Sequence, residues 1–375
     1  NPHDNLMQRS LLTRYLLLLF LSMGVVLSAC DDDDDDEEDM TATEIIDPTG
    51  SNSLDGKPVV GVNATPEGIT GGGSTSFHMS SDTVYQLDGF VFVNPGDTLT
   101  IDAGTIIRGK ETPTTGDNAS ALIVAKGAAI VAEGTPSNPI IFTAESDDLN
   151  DQGDDVGLGR GLWGGVILLG DAEINVSGGE NPVEGIPDTE SRGIYGGGSA
   201  PNNGHDIGTF AYVSIRHGGA EIGSGNEING LTMGGIGQGS DPNEADIHHV
   251  EVIWNLDDGF EFFGGVPRTS HLAATFCGDD NFDYDEGFSG KGQFWFGLYE
   301  SSAGGRAGEH DGGTSPEDGQ PFATPVIFNA TYLGRGPNES GNILTFRDNA
   351  GGTYFNSIFA GFQNGIEIED LATGE

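Results

Sequence analysis

The feature that most constrains this chain is a repeat with a period of 22 residues. The stretch His249-Val250-Glu251-Val252-Ile253-Trp254-Asn255-Leu256-Asp257-Asp258-Gly259-Phe260-Glu261-Phe262 superposes on the one that begins at His271. His249 meets His271, Val250 meets Leu272, Trp254 meets Phe276, Asp257-Asp258 meets Asp279-Asp280, and Phe260-Glu261 meets Phe282-Asp283. A further shift brings in Gln293-Phe294-Trp295-Phe296, and Asn356 to Ile368 carries a weaker echo. A unit this short cannot bury an apolar face alone. Stacked on copies of itself it can, which is the logic of a solenoid.

Around the repeat lie short β-branched and aromatic runs such as Phe90-Val91-Phe92-Val93 and Ile140-Ile141-Phe142-Thr143, closed by glycine turns and without helical periodicity. Glycine supplies 62 of 375 residues with no Gly-X-Y period, which excludes collagen and fits many tight turns. An antiparallel sandwich would turn every ~8–12 residues instead. The expectation is an all-β, right-handed parallel β-helix over residues 83–375, with roughly ten coils rising about 4.8 Å each. Val250–Leu272–Phe294 and Phe260–Phe282 are its expected inward ladders. Asp147–Gly159, Gly178–Gly208, Gly234–Asp246 and Gly304–Pro321 read as inserted loops. The chain stops at Leu371-Ala372-Thr373-Gly374-Glu375 without a polar cap, so the solenoid is expected to continue.

The amino-terminal part follows different rules. Arg9 and Arg14 precede an apolar stretch that ends in Leu27-Ser28-Ala29-Cys30, the parts of a secretory signal over residues 1–29. Residues 1–6, ahead of Met7, read as an overrun. The ending resembles a bacterial lipobox, which implies lipidation of Cys30 and cleavage before it. Asp31 to Asp36 with Glu37, Glu38 and Asp39 then form a self-repelling tether, and residues 30–82 as a whole read as tether and linker. Acidic residues beside the lipidated cysteine resemble an export signal to the outer face of an outer membrane, with periplasmic display as the alternative. Cys277 is left without a partner and sits among apolar residues, which suits a small buried hydrophobe better than a nucleophile.

The formal charge of −45 argues against nucleic acid and against anionic lipid surfaces, leaving the lipid anchor as the membrane contact. It suits divalent cations. Asp257, Asp258 and Glu261 lie one repeat from Asp279, Asp280 and Asp283, with Asp285 and Glu286 following. Stacked coils would set like charges about 5 Å apart, a cost that calcium with oxygen ligands would turn into binding. A solvated acidic face, or carboxylates bonded to turn amides, is the plainer reading. Trp254, Tyr284 and Trp295, with Trp163 and Tyr299, could stack on sugar rings if they face outward, or fill the core. His248, His249 and His271 lack a thiolate or other local ligand, which favours a structural role over a transition metal.

Several motifs together carry a family resemblance: Leu87-Asp88-Gly89-Phe90-Val91-Phe92-Val93, Leu99-Thr100-Ile101-Asp102-Ala103-Gly104-Thr105, Gly161-Leu162-Trp163-Gly164-Gly165, Tyr212-Val213-Ser214-Ile215-Arg216-His217-Gly218-Gly219, Asp257 to Gly265, and Gly290-Lys291-Gly292-Gln293-Phe294-Trp295. Over roughly residues 84–370 the chain resembles Bacteroidota surface lipoproteins with a pectin-lyase-like β-helix. The resemblance implies the fold and a cell-surface address; the residues leave a non-enzymatic module that binds polysaccharide or cell-surface glycan, or mediates adhesion, with calcium on the acidic stack as a stabilising ion. The alternative is a polysaccharide lyase or glycoside hydrolase working through the acidic groove. Arg216, His217 and Lys291 would be its candidate bases, none of them in a recognisable lyase motif.

Overall fold

The computed structural model describes residues 43–44, 53–54 and 56–369, apart from gaps at 64, 72–73, 150–158, 224–225, 242–244, 301–302, 314–315 and 340. The signal segment, Cys30, the acidic run and residues 370–375 lie outside the described residues.

Short strands recur in threes, each pairing in parallel with its counterpart one coil away. The first ladder climbs from Ser76–Met79 through Thr98–Ile101 and Ala129–Glu133 to Thr353–Phe355. The second climbs from Lys57–Asn63 through Val84–Asp88 and Ile106–Gly109 to Ile358–Ala360. The third holds nine strands, from Phe90–Val93 to Ile366–Ile368. This is a parallel β-helix. Coils without insertions keep the 22-residue spacing, as from Val84 to Ile106, from Phe260 to Phe282 and from Leu344 to Ile366. Among the described residues the one helical segment is the 3-10 turn Ser191–Gly193.

The corner between the first and second ladders is a single left-handed residue: Tyr212 (φ 51°), His249 (φ 51°), His271 (φ 54°), Phe294 (φ 58°), Asn329 (φ 59°) and Asn356 (φ 50°). A non-glycine residue pays roughly 1–2 kcal/mol for this conformation. Stacking offsets the cost, with ring centroids 4.4 Å apart for Tyr212–His249, 4.2 Å for His249–His271 and 4.8 Å for His271–Phe294. Further along, Asn356 Nδ2 donates to Asn329 Oδ1 at 2.6 Å.

Four expectations need correction. The stacked region starts before residue 83, because Val59 pairs with Val84 and Phe77 with Leu99. Gly304–Pro321 is not wholly a loop, since Gly308–Asp311 is a third-ladder strand whose His310 points inward onto Tyr284 at 3.8 Å. The Val250–Leu272–Phe294 ladder fails at its third member. Arg268 pairs with Lys291, a spacing of 23, because the turn after Asp285 is one residue longer than the turn after Phe263. A one-residue slip reverses every side chain, so Phe294 is 43% exposed and Trp295 is 1% exposed. Gly292 makes room for that indole: a Cβ there would lie 2.5 Å from its ring.

The fourth concerns the insertion read as Gly178–Gly208. Leu122 and Val124 of the third ladder face the main core, while Ala121 and Ile123 face a second one. Ile174, Val183, Ile186 and Tyr195 close that second core over Phe90, Phe92, Ile167 and Leu169. The insertion is therefore a packed cover on the outer face of the early third ladder. Past it, that face turns acidic.

Candidate functional site

The turns that feed the third ladder carry a side-chain ladder of their own. Asn229 Oδ1 accepts from the Asp258 amide at 3.2 Å, Asp258 Oδ1 from the Asp280 amide at 2.8 Å, and Asp280 Oδ1 from the Arg306 amide. Each acceptor satisfies a buried backbone donor of the next coil, which would otherwise cost about 1–3 kcal/mol. Asp258, Asp280 and Asn229 are 7%, 1% and 2% exposed. The reading of carboxylates bonded to turn amides holds for these residues.

The caps do not use up the carboxylates. Oxygens of Asp257, Asp258 and Asp279 lie within 4.8 Å of one another, as do those of Asp258, Glu261 and Asp283. The two triads share Asp258. Glu261 and Asp283 are register partners pointing out of the third ladder. Asn229 Nδ2 donates to Glu261 Oε2, while Asp283 Oδ1 is buried without a hydrogen-bond partner. Burial, then neighbouring negative charge, pushes Asp258, Glu261 and Asp283 well above the usual carboxylate range, and pushes Asp257 up to about 7. An oxygen-only donor set with an unpartnered carboxylate oxygen fits a hard divalent ion such as calcium.

Of the eight acidic residues picked out by the repeat, five meet in these triads and three do not. Asp280 is drawn off by Arg306, whose Nη1 lies 3.4 Å from its Oδ2. Glu286 takes the left-handed conformation (φ 53°) and accepts from Asn181 Nδ2 and Tyr195 Oη, both at 2.6 Å, so it pins the cover instead. Asp285 accepts from the Glu286 amide and stands one outward position beyond Asp283.

The aromatic candidates divide similarly. Tyr284 is fully buried, and Trp295 stacks on Phe282 at 4.8 Å and Phe262 at 5.3 Å, so neither can meet a sugar. Period-22 spacing placed Trp295 one residue out of register, and Tyr284 follows the inward positions of its strand. Trp254 stays half-buried at a left-handed corner, stacked between His217 and Phe276. Trp163 and Tyr299 are core residues. His249 and His271 form the stacked corner, a structural role. Cys277 is buried, its thiol pushed up to about 12 by desolvation.

The candidate bases do not converge on the triads. Arg216 bonds Ser214 on the second ladder, His217 is buried against Gly159 O, and Lys291 lies on the first ladder.

Sequence reasoning missed Glu184, Glu227, Asn229, Arg306 and Glu309. Glu184, carried by the cover, is pushed up to about 7 by burial and by the charge of Glu227, and its own charge adds to the shifts of Asp257 and Glu261. Glu309 continues the outward acidic column and is braced by Arg306 at 2.8 Å and Arg347 at 3.0 Å. A signal existed for Asn229: Asn229-Gly230-Leu231 repeats the form of Asp258-Gly259-Phe260.

With this geometry established, comparison with known proteins adds one match. A family model described as a pectate-lyase-like beta helix domain matches residues 71–375. No curated protein and no solved structure matches the chain.

Proposed function

The chain belongs to the pectate-lyase-like β-helix family, and from that premise we propose that it is a non-enzymatic, calcium-dependent glycan-binding module held at the cell surface by a lipid on Cys30. One observation carries the calcium site. Asn229 caps the next coil's amide with a neutral side chain, whereas Asp258 does the same work with a carboxyl whose ionisation the cap does not need. The ionisable carboxyl that this leaves over sits where both triads overlap, where an ion would draw it into the charged form. Asp257, Asp258, Glu261, Asp279 and Asp283 would hold the ion. A calcium ion held there would supply affinity for sugar hydroxyls or carboxylates, with the partly exposed Trp254 nearby in sequence.

A glycan array run in calcium and in chelator tests this. Retention should occur in calcium and vanish in chelator; equal retention in both would sink the calcium dependence, and no retention would sink glycan binding. Protease shaving of intact cells tests the address, since a protein untouched until lysis is not outside. A second reading, a lyase or hydrolase, draws support from Asp257 and Glu184, both poised at about 7 where general acid–base groups work best. Incubation with acidic polysaccharides, monitored by ultraviolet absorbance for unsaturated uronates and by reducing ends for hydrolysis, decides between the two.

A further inference from the structure

Away from the carboxylates, on the first ladder, Arg268 and Lys291 are register partners on successive coils. They border a cavity of about 260 Å³ that is also lined by Asn203, Gln238, Val266 and Ser289. Two adjacent cations repel. In a chain of net charge −45 the ordinary remedy is a carboxylate, and Lys110, Arg160, Arg306 and Arg347 each sit against one. Among the described residues neither Arg268 nor Lys291 forms an ion pair.

Arg268 is instead held by neutral oxygens. Its Nη1 donates to Gln238 O at 2.9 Å and Asp241 O at 3.2 Å, and its Nη2 donates to Gln238 Oε1 at 2.9 Å. Three hydrogen bonds to neutral oxygens fix the guanidinium in place with no carboxylate among them, which preorganises it to meet an anion. They also occupy much of the planar fork that would grip a carboxylate bidentately. The remaining donors come from separate directions: the Lys291 ammonium, the Gln238 amide left free by its engaged Oε1, and what is left of Arg268. Separate donors suit a tetrahedral group better than a planar one. The volume is below the roughly 300–1,000 Å³ of pockets that engulf drug-sized ligands, so it suits one substituted sugar residue.

We propose that this pocket binds a tetrahedral oxyanion carried on a glycan, with a sulfate ester and a phosphate as the two sources of that chemistry. The glycan carrier rests on the reading above; the oxyanion site does not, because inorganic ions probe it alone. Calorimetric titration of the full chain with inorganic sulfate and phosphate should show saturable binding, unchanged by chelator or by Asp258→Asn. Lys291→Gln, an exposed change, should weaken it at least tenfold, and Arg268→Gln should abolish it. Matched sulfated, phosphorylated and uronate oligosaccharides then assign the source, the tighter of the first two naming it. No binding of either inorganic ion overturns the proposal. So does an unchanged affinity in Lys291→Gln, or a uronate that binds as tightly as the sulfated sugar.

Discussion

The carboxylate of Asp258 accepts a hydrogen bond from the amide of Asp280, one coil above, at 2.8 Å. That bond needs an oxygen and no charge, since Asn229 makes its equivalent one coil below. Asp258→Asn should therefore keep the cap while removing from both triads a carboxyl that can ionise onto a cation. In chelator its melting temperature is expected to equal or exceed that of the wild type, and the rise produced by calcium should disappear. Asp258→Ala loses the cap as well and should be less stable by about 1–3 kcal/mol. A full calcium response in Asp258→Asn would remove that residue from the ion site.

The carboxyl groups also set a pH dependence. Asp257 and Glu184 hold protons up to about 7 in the folded chain, above the values near 4 of an unfolded one. Between those limits the folded state binds more protons, so the ion-free protein loses stability as pH rises from about 4 to about 7. Calcium replaces the protons. Its stabilising increment should be small near pH 5 and grow toward pH 8, as thermal melts at each pH would show. An increment independent of pH would mean that these carboxyls do not face the ion.

The β-helix and the stacking of Asp257 on Asp279 were legible because a coil without insertions repeats at 22, which places like residues in vertical contact. What stayed hidden follows from the turns. One extra residue after Asp285 reversed Phe294 and Trp295. Glu184 arrives from a cover that has no counterpart in other coils, and no periodicity can bring it beside Glu261. Arg306 lies 26 residues beyond Asp280, so its claim on that carboxylate falls outside the frame. His310 was hidden for another reason: Gly-Glu-His-Asp reads as a polar turn, and only the Tyr284 ring beneath makes an imidazole fit an inward position.

The two tryptophans picked out for sugar stacking should now behave differently. Trp295→Ala empties a site between Phe262 and Phe282 and strips Thr269 of the indole donor, for an expected loss of about 3–5 kcal/mol. Trp295→Phe should cost less and leave glycan retention by the folded protein intact. Trp254→Ala should weaken retention, because that residue, although stacked between His217 and Phe276, keeps partial exposure to solvent. Equal retention by Trp254→Ala and wild type would leave the carboxylate-bound ion as the whole of the glycan contact.

The stacked corner makes the last prediction. Burial and the neighbouring imidazoles pull His249 down to about 4 and lower His271 as well, because a column with rings 4.2 Å apart cannot hold two positive charges cheaply. In the unfolded chain both would protonate near 6.5. Their contribution is therefore intact above about 6.5 and is lost as pH falls toward 4, opposite in sign to that of the carboxyls. Asparagine tolerates the left-handed corner, and Asn329 and Asn356 already occupy it on later coils with a side-chain bond between them. The double variant His249→Asn/His271→Asn should melt close to wild type at pH 8 and above it at pH 4.5. Parallel melting curves at both pH values would show that the imidazoles remain uncharged without penalty, and the corner would then owe its shape to stacking alone.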